Sequence, residues 1–585
     1  VSRALQFKDQ AWRVELRKAL RLARQSQWKR ARRHAKLAAQ SGRLRADVLL
    51  FAIELQIDGI ERLKDLVPAL RERHPDSLFV TLLAARVFTF RSDREAMLAL
   101  IATQLPKFSD NILVLSLFAD YLCTIDDGAA GLKMLSLARS VATDERTLNE
   151  LIVLEATHLV NLQRMDDARV LFMVADLSVV SLITQCMAAA SIARILALDG
   201  EDEAALETLM PYVDIASPHQ AEMRIEAATQ YGLVHGFDRV SERFDLAAID
   251  ASHLGDPINK ALLFFRVGDL GRGWKHYLYR LESIFFNSPL RYFNAPMWAG
   301  QRLAGKKILV WSEQGVGDLV MFASMIEDLR AAGASVVLEV PTKLVELFAM
   351  SFRFALVRVS GPADVRHHPA YSDLDFHVPI GSLGLYFRTE LSSFPRRRRW
   401  LSCDLDLVKR LRNQGNGRPR VGFAWSSGKR NAVRDQSYLE LEDLLEWIED
   451  PSIEPVCLNY RVNDEDRALI ASRPALGRFL NVEIDQWNDL YGTAALIDSC
   501  DIVVGAATSN TAIAGGLNKP VVLFMYNPAR AAFAFATGTY PFYNWTPLVA
   551  LKDREPQQVV VDLRDRADQL LAGLPDPTTG EVLGD

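Results

Sequence analysis

The chain is short of the features that would place it in several large classes. It has five cysteines in 585 residues, Cys123, Cys186, Cys403, Cys457 and Cys500, and no two form a Cys-x-x-Cys pair. That spacing argues against a disulfide framework or a structural zinc site and suits a reducing compartment. No long uninterrupted hydrophobic run is present. The most apolar stretch, near Leu177 to Leu198, is broken by Gln185 and Arg194 and reads as a buried helix, not a membrane span. The first residues are polar and basic, without the apolar core of a signal peptide. An excess of basic charge is also missing: 68 Lys and Arg stand against 73 Asp and Glu, a formal net charge of -5, so nothing global points to nucleic acid. His367, His368 and His377 lack a metal-ligand spacing. The expectation is a cytoplasmic protein without a transmembrane segment, a catalytic metal or a cofactor. What remains, 49% hydrophobic and 24% charged residues, is the balance of a globular chain long enough for two or three domains.

Up to about residue 287 the periodicity is helical. Short polar breaks such as Gln40-Ser41-Gly42 and Asp199-Gly200-Glu201 separate the segments. Alanine-centred patterns recur: Lys29-Arg30-Ala31-Arg32, Arg94-Glu95-Ala96-Met97, Gly128-Ala129-Ala130-Gly131, Asp166-Asp167-Ala168-Arg169 and Asp202-Glu203-Ala204-Ala205. From Arg94 onward they start roughly 34 to 38 residues apart, near a tetratricopeptide period, and the first gap is about twice that, as if one member were unrecognisable. Degenerate helical hairpins, each burying its face on its neighbours, fit this pattern. A basic run from Arg13 to Lys36 reads as a solvated helix face. Residues 288–305, with aromatics packed around Pro296, form a junction.

The rest alternates strands and helices. Lys306 to Trp311 is an apolar strand; Ser312-Glu313-Gln314-Gly315-Val316-Gly317-Asp318 is a glycine-rich turn; Leu319, Phe322, Met325, Ile326 and Leu329 begin a helical face. In doubly wound α/β domains ligands bind where strand carboxyl ends meet helix amino ends. Gly315 and Gly317 free the backbone, and Asp318 is read either as an N-cap or as a general base at the cleft, with Glu313 next in line. Residues 306–400 make a compact first half, ending in Arg396-Arg397-Arg398-Arg399-Trp400, read as an exposed linker. A second half, 401–574, opens with Val421 to Trp425 and the loop Ser426 to Arg430, and Asp501 to Gly505 leads into Thr508-Ser509-Asn510-Thr511 ahead of a helix from Ala512. Hydroxyls and free N–H groups there suit a phosphate, and Lys429 and Arg430 supply counter-charge. Trp425, Ser426 and Tyr460, at strand ends of the same half, join the donor set with Gly315 and Gly317. Residues 575–585 read as a disordered tail.

Gly268-Asp269 to Trp274, Pro296-Met297-Trp298, Glu313-Gln314-Gly315-Val316-Gly317-Asp318, and Thr508-Ser509 before Gly515-Gly516-Leu517-Asn518-Lys519-Pro520 resemble bacterial tetratricopeptide-repeat proteins fused to a heptosyltransferase-like GT-B glycosyltransferase, of the kind that glycosylates flagellin. The resemblance implies an α plus α/β architecture, helical repeats followed by a GT-B pair of Rossmann-like domains. It also implies an inverting, metal-independent transfer from a nucleotide sugar, with Asp318 as base and the repeats holding a protein acceptor such as flagellin. Heptosyltransferase-like chains carry an Asp and a His in the donor loop where this chain has Ala507 and Ala512. That departure favours a donor with one phosphate, such as a CMP-linked nonulosonic acid. The alternatives are an envelope polysaccharide or lipopolysaccharide transferase using a nucleotide-diphosphate sugar, and a non-catalytic adaptor with a degenerate GT-B domain.

Overall fold

A computed structural model describes residues 13–23, 27–58, 66–90, 94–124, 128–215, 220–252, 254–283, 288, 291–396, 398–428, 432–480, 483–535, 537–544 and 546–573. Lys429 and Arg430 of the sequence-based donor set, and the tail from Pro575, lie outside them. The chain divides into two compact units, Val1–Ser191 and Ile192–Asp585.

The first unit is helical. Helices pair as hairpins: Trp28–Ala39 with Leu44–Asp58, Leu78–Phe90 with Arg94–Gln104, Ile112–Thr124 with Gly128–Val141, and Glu145–Asn161 with Met165–Val174. Each alanine-centred pattern sits at the start of a helix, and the long first gap holds a further helix, Leu66–Arg73. Small residues at these positions let the helices approach. A Cβ on Gly131 would lie 2.8 Å from the Ala119 carbonyl oxygen, a backbone atom that has nowhere to move. Ala31, Ala35 and Ala38 are fully buried on one side of the Trp28 helix, whose other side carries the basic residues. The pattern there is a packed stripe and a solvated face.

The second unit begins with more helices, Asp202–Leu209, Gln220–His235, Pro257–Arg266 and Leu270–Tyr277, and continues into two sheets. The first sheet has strands β1 (Lys307–Trp311), β2 (Ser335–Val340), β3 (Leu356–Val359) and β4 (Phe376–Pro379) in the order β3-β2-β1-β4, all parallel. The second has β5 (Arg420–Ala424), β6 (Glu454–Cys457), β7 (Ile502–Ala506), β8 (Val521–Met525), β9 (Thr539–Tyr540) and β10 (Thr546–Ala550) in the order β6-β5-β7-β8-β10-β9, parallel except for the short edge strand β9. Every residue of β5 and β7 is buried. A continuous apolar run suits a strand covered on both faces, and such strands need helical crossovers to stay parallel. The architecture is therefore a helical domain followed by two Rossmann-like halves.

Two features tie the halves together. The helix after β1 (Val316–Ala323) packs on the helix after β7 (Ser509–Gly516). The end of the connecting segment is also built in: of the stretch read as an exposed linker, Arg396 and Arg399 are exposed, whereas Arg398 is half-buried and Trp400 buried. Trp400 is buried, its indole N–H donates to Val320 O at 3.0 Å, and its amide donates to Gly516 O at 2.9 Å. Arg399 reaches Asp498 at 3.1 Å and Arg398 reaches Asp328 at 3.5 Å. The basic residues there serve as cross-braces.

The Leu270 helix is part of the same body. Trp274 lies among Phe265, Tyr277, Phe322, Phe533, Phe535 and Phe542, and its indole N–H donates to Arg388 O at 2.7 Å. Trp298 stacks instead on Tyr386 and Phe387.

Candidate active site

β1 ends at Trp311 and the chain turns into the Val316 helix with Gly315 as N-cap. Asp318 is thus the third residue of that helix, not its cap. Its carboxylate accepts the Gly315 N–H, the backward half of a capping box. The group is half-buried, and burial, aided by the negative charge of Glu313, pushes it up to about 6; the Gly315 bond and the positive charge of Arg434 pull the other way. The helix N-terminus also favours the ionised form. Desolvation wins because the carboxylate faces protein on most sides, with Tyr540 and Tyr543 close enough for its charge to raise their own phenols further. A carboxyl group that titrates near neutrality is suited to accept a proton.

Glu313, five residues earlier, has a different setting. It is fully covered, ion-paired to the equally buried Arg280, and accepts the Gly381 N–H at 3.1 Å. Arg280 also donates to Tyr277 O at 2.8 Å and to Ser382 Oγ at 3.1 Å. This carboxylate fastens the last helical segment to the first sheet. Beside it Gln314 Nε2 donates to the Tyr277 hydroxyl at 2.6 Å.

The second half brings its own loop to the same place. A Cβ built on Gly317 would lie 3.8 Å from Ser509 N and Cα and from Thr508 O, so the two glycine- and hydroxyl-rich turns face each other at van der Waals distance. The helix there starts three residues earlier than the sequence reading placed it, at Ser509, with Thr508 as N-cap. Asn510 and Thr511 are consequently inside its first turn and fully buried. Thr511 Oγ1 receives the Thr508 N–H at 2.9 Å and donates to Ala506 O at 2.9 Å; Asn510 Nδ2 donates to Leu458 O at 2.7 Å and Gln486 Oε1 at 3.1 Å. Thr508 and Ser509, which face the Gly317 turn, are each half-buried.

The other donor-set residues form a second group, at the ends of β5 and β6. Trp425 is core: it stacks on Phe479 and its indole N–H donates to Asp466 Oδ2 at 3.1 Å. Ser426 is buried, exchanging bonds with Asn459 at 3.0 and 3.3 Å. Tyr460 is half-buried; its hydroxyl meets Ser427 Oγ at 2.5 Å and accepts the Gly428 N–H at 3.1 Å. Its ring adjoins Trp487, and Trp487 lies 4.3 Å from the cationic groups of both Arg461 and Lys343. Lys343 follows β2, so this aromatic residue, which sequence reasoning missed, is contacted from both halves. Arg434 and the Arg280–Glu313 pair were missed as well. A buried pair separated by thirty-three positions leaves no local pattern, although the lone cation in the apolar stretch Tyr277 to Leu281 is a signal that could have been followed.

Comparisons with known proteins are partial. No protein-family model matches the chain. Protein FlbA of Caulobacter vibrioides is 28% identical over 301 residues, 48% of this chain; the chain spans about half the length of that relative. Among solved structures, a glycosyl transferase family 9 protein from Veillonella parvula overlays with a TM-score of 0.34 at 10% identity, covering 46% of this chain and 98% of that one. The E. coli ADP-heptose lps heptosyltransferase II gives 0.32 at 15%, covering 45% and 98%. A Thermobaculum terrenum O-GlcNAc transferase mutant gives 0.24 at 13%, covering 84% and 92%.

Proposed function

We propose that the protein is a glycosyltransferase that moves a sugar from a nucleotide-sugar donor to a serine or threonine hydroxyl of a protein acceptor, flagellin being the acceptor the sequence resemblance favours. The observation that carries the reading is the convergence of two loops at one point. The Gly315–Asp318 turn of the first half meets the Thr508–Ser509 turn of the second, and the first of them carries a carboxyl group pushed up to about 6.

In this reading Asp318 takes the proton of the acceptor hydroxyl. The oxygen then bonds to the anomeric carbon from the face opposite the nucleotide, and the phosphate leaves with the electron pair of the broken C–O bond. The N-terminus of the Ser509 helix, with the Thr508 and Ser509 hydroxyls, holds the leaving phosphate. Since Asn510 and Thr511 are spent on internal bonds, that loop offers two side chains, which suits a donor with a single phosphate such as a CMP-linked sugar. No step uses a metal. The helical repeats hold the acceptor.

Asp318→Asn keeps the shape and the bond from Gly315 but removes the base. The expected result is a folded protein with near-normal donor affinity by calorimetry and transfer slower by about 10²–10⁴-fold. Transfer at the parent rate would place the base elsewhere. Intact mass of flagellin from a deletion strain tests the acceptor: loss of the glycan mass supports it, and an altered lipopolysaccharide with unaltered flagellin contradicts it.

A further inference from the structure

The helical first unit contains a cavity of about 440 Å³ bounded by the helices Leu66–Arg73, Leu78–Phe90 and Arg94–Gln104 and by the turns that follow the first and the third of them. Of its four ionisable lining groups, His74 and Lys107 are already paired. His74 bonds Asp47 at 2.9 Å, and Lys107 bonds Asp76 at 2.7 Å. Arg71 and the NH₂ of Gln104 are not. Arg71 is half-buried and lies 6.0 Å from the Phe88 ring, with no carboxylate partner among the described residues; burial lowers the affinity of its guanidinium for the proton. Gln104 is 5% exposed, and its side-chain oxygen is occupied by the Thr81 hydroxyl at 3.2 Å. That bond fixes the carboxamide and leaves its NH₂ without a partner among the described residues.

A partly desolvated guanidinium without a counter-charge is costly, and the Gln104 NH₂, which lines the cavity, is free to donate. A carboxylate satisfies both at once: its two oxygens match the planar fork of arginine, and a spare lone pair accepts from the amide. The cavity exceeds what one carboxylate fills. Pro68, Pro75 and Val80 add apolar wall, and Thr103 and Lys107 line the rim. Glu72 on the same rim is the one acidic group lining the cavity.

We infer that this cavity is a docking site for an acidic peptide segment of a protein partner, one Asp or Glu side chain of which enters between Arg71 and Gln104. The inference rests on the reading that the helical repeats hold a protein. Its test is binding alone, so its failure leaves the transferase reading standing.

The probe is fluorescein-labelled hexaglutamate titrated with the full-length protein, followed by anisotropy, with hexaglutamine as the neutral control. Hexaglutamate is expected to bind and hexaglutamine not. Arg71→Gln and Gln104→Leu should each weaken binding tenfold or more without moving the melting temperature by more than a few degrees. Arg71→Lys, which retains charge but not the fork, should fall between. Arg33→Gln, on the exposed basic face of the Trp28 helix, should have no effect. Equal binding of hexaglutamine, or a loss with Arg33→Gln as large as with Arg71→Gln, would overturn the site. Competition by free glutarate at the same concentration as the peptide would overturn the peptide assignment. If Arg71→Gln unfolds the protein, the Gln104→Leu and Arg71→Lys titrations decide.

Discussion

Two carboxylates five positions apart in one turn have opposite roles because their surroundings differ. Asp318 has no ion pair among the described residues and burial pushes it up to about 6 despite the charge of Arg434, whereas Glu313 is held against Arg280 and the Gly381 amide. Replacing one member of a buried pair strands the other. Glu313→Gln should therefore destabilise the second unit by about 3–5 kcal/mol, seen as an earlier thermal transition. The double replacement Arg280→Met with Glu313→Leu should cost much less than the sum of the single ones. A Glu313→Gln protein that melts normally but cannot transfer sugar would reverse the assignment and make Glu313 the chemical group.

The helices after β1 and β7 carry the site, and their glycines record what they face. Gly317 has only ordinary contacts ahead of its missing Cβ, so Gly317→Ala should fold with a nearly unchanged melting temperature yet narrow the space between the turns, giving a loss of transfer. Gly516 is different: a Cβ there would lie 2.6 Å from Leu401 Cδ1 and 3.3 Å from Trp400 Cε2. Gly516→Ala should cost roughly 1–3 kcal/mol of stability by overpacking, measured by denaturant unfolding. If Gly317→Ala is the variant that melts early, the two turns pack too tightly there to leave room for a ligand.

At this scale the sequence was readable to different depths. The β1 and β7 strands were legible within one or two residues because both are apolar runs ended by glycine or hydroxyl turns, a strong local signal. The helix after β7 was placed too late, since Ser509, Asn510 and Thr511 look like a polar turn. Only the tertiary bonds to Leu458, Gln486 and Ala506 make them the inside of a helix. Trp425 and Ser426 look like donor contacts for the converse reason: a strand end facing a cleft and a strand end facing the core have the same composition. The basic run before Trp400 reads as a linker until its carboxylate partners Asp328 and Asp498, 70 and 99 positions away, are seen.

For the whole molecule, the compact-unit boundary at Ser191–Ile192 carries a practical consequence. A fragment beginning at Ile192 retains Trp274, Tyr277 and Arg280 and should fold cooperatively, bind donor and fail to modify the protein acceptor. A fragment beginning at Pro296 loses all three, exposing Phe322, Phe533 and the Glu313 carboxylate, and should be poorly soluble and non-cooperative in thermal unfolding. Unchanged transfer to the full-length acceptor by the Ile192 fragment would refute the division of labour between repeats and sheets. Equal solubility of the two fragments would show that the Leu270 helix is dispensable to the second unit.

The central claim, that Asp318 is the base, is tested most directly by the pH dependence of kcat/KM for transfer, which reports the groups of the free protein. A base works only when deprotonated. Asp318 is held at about 6 in the folded protein, so kcat/KM should fall tenfold per unit below pH 6, rise through about 6 and level off above it. Asp318→Asn should lose this limb and leave a low, flat residual value. A parent profile flat from pH 5 to 8, or a limb near 6 that persists in Asp318→Asn, would contradict the account.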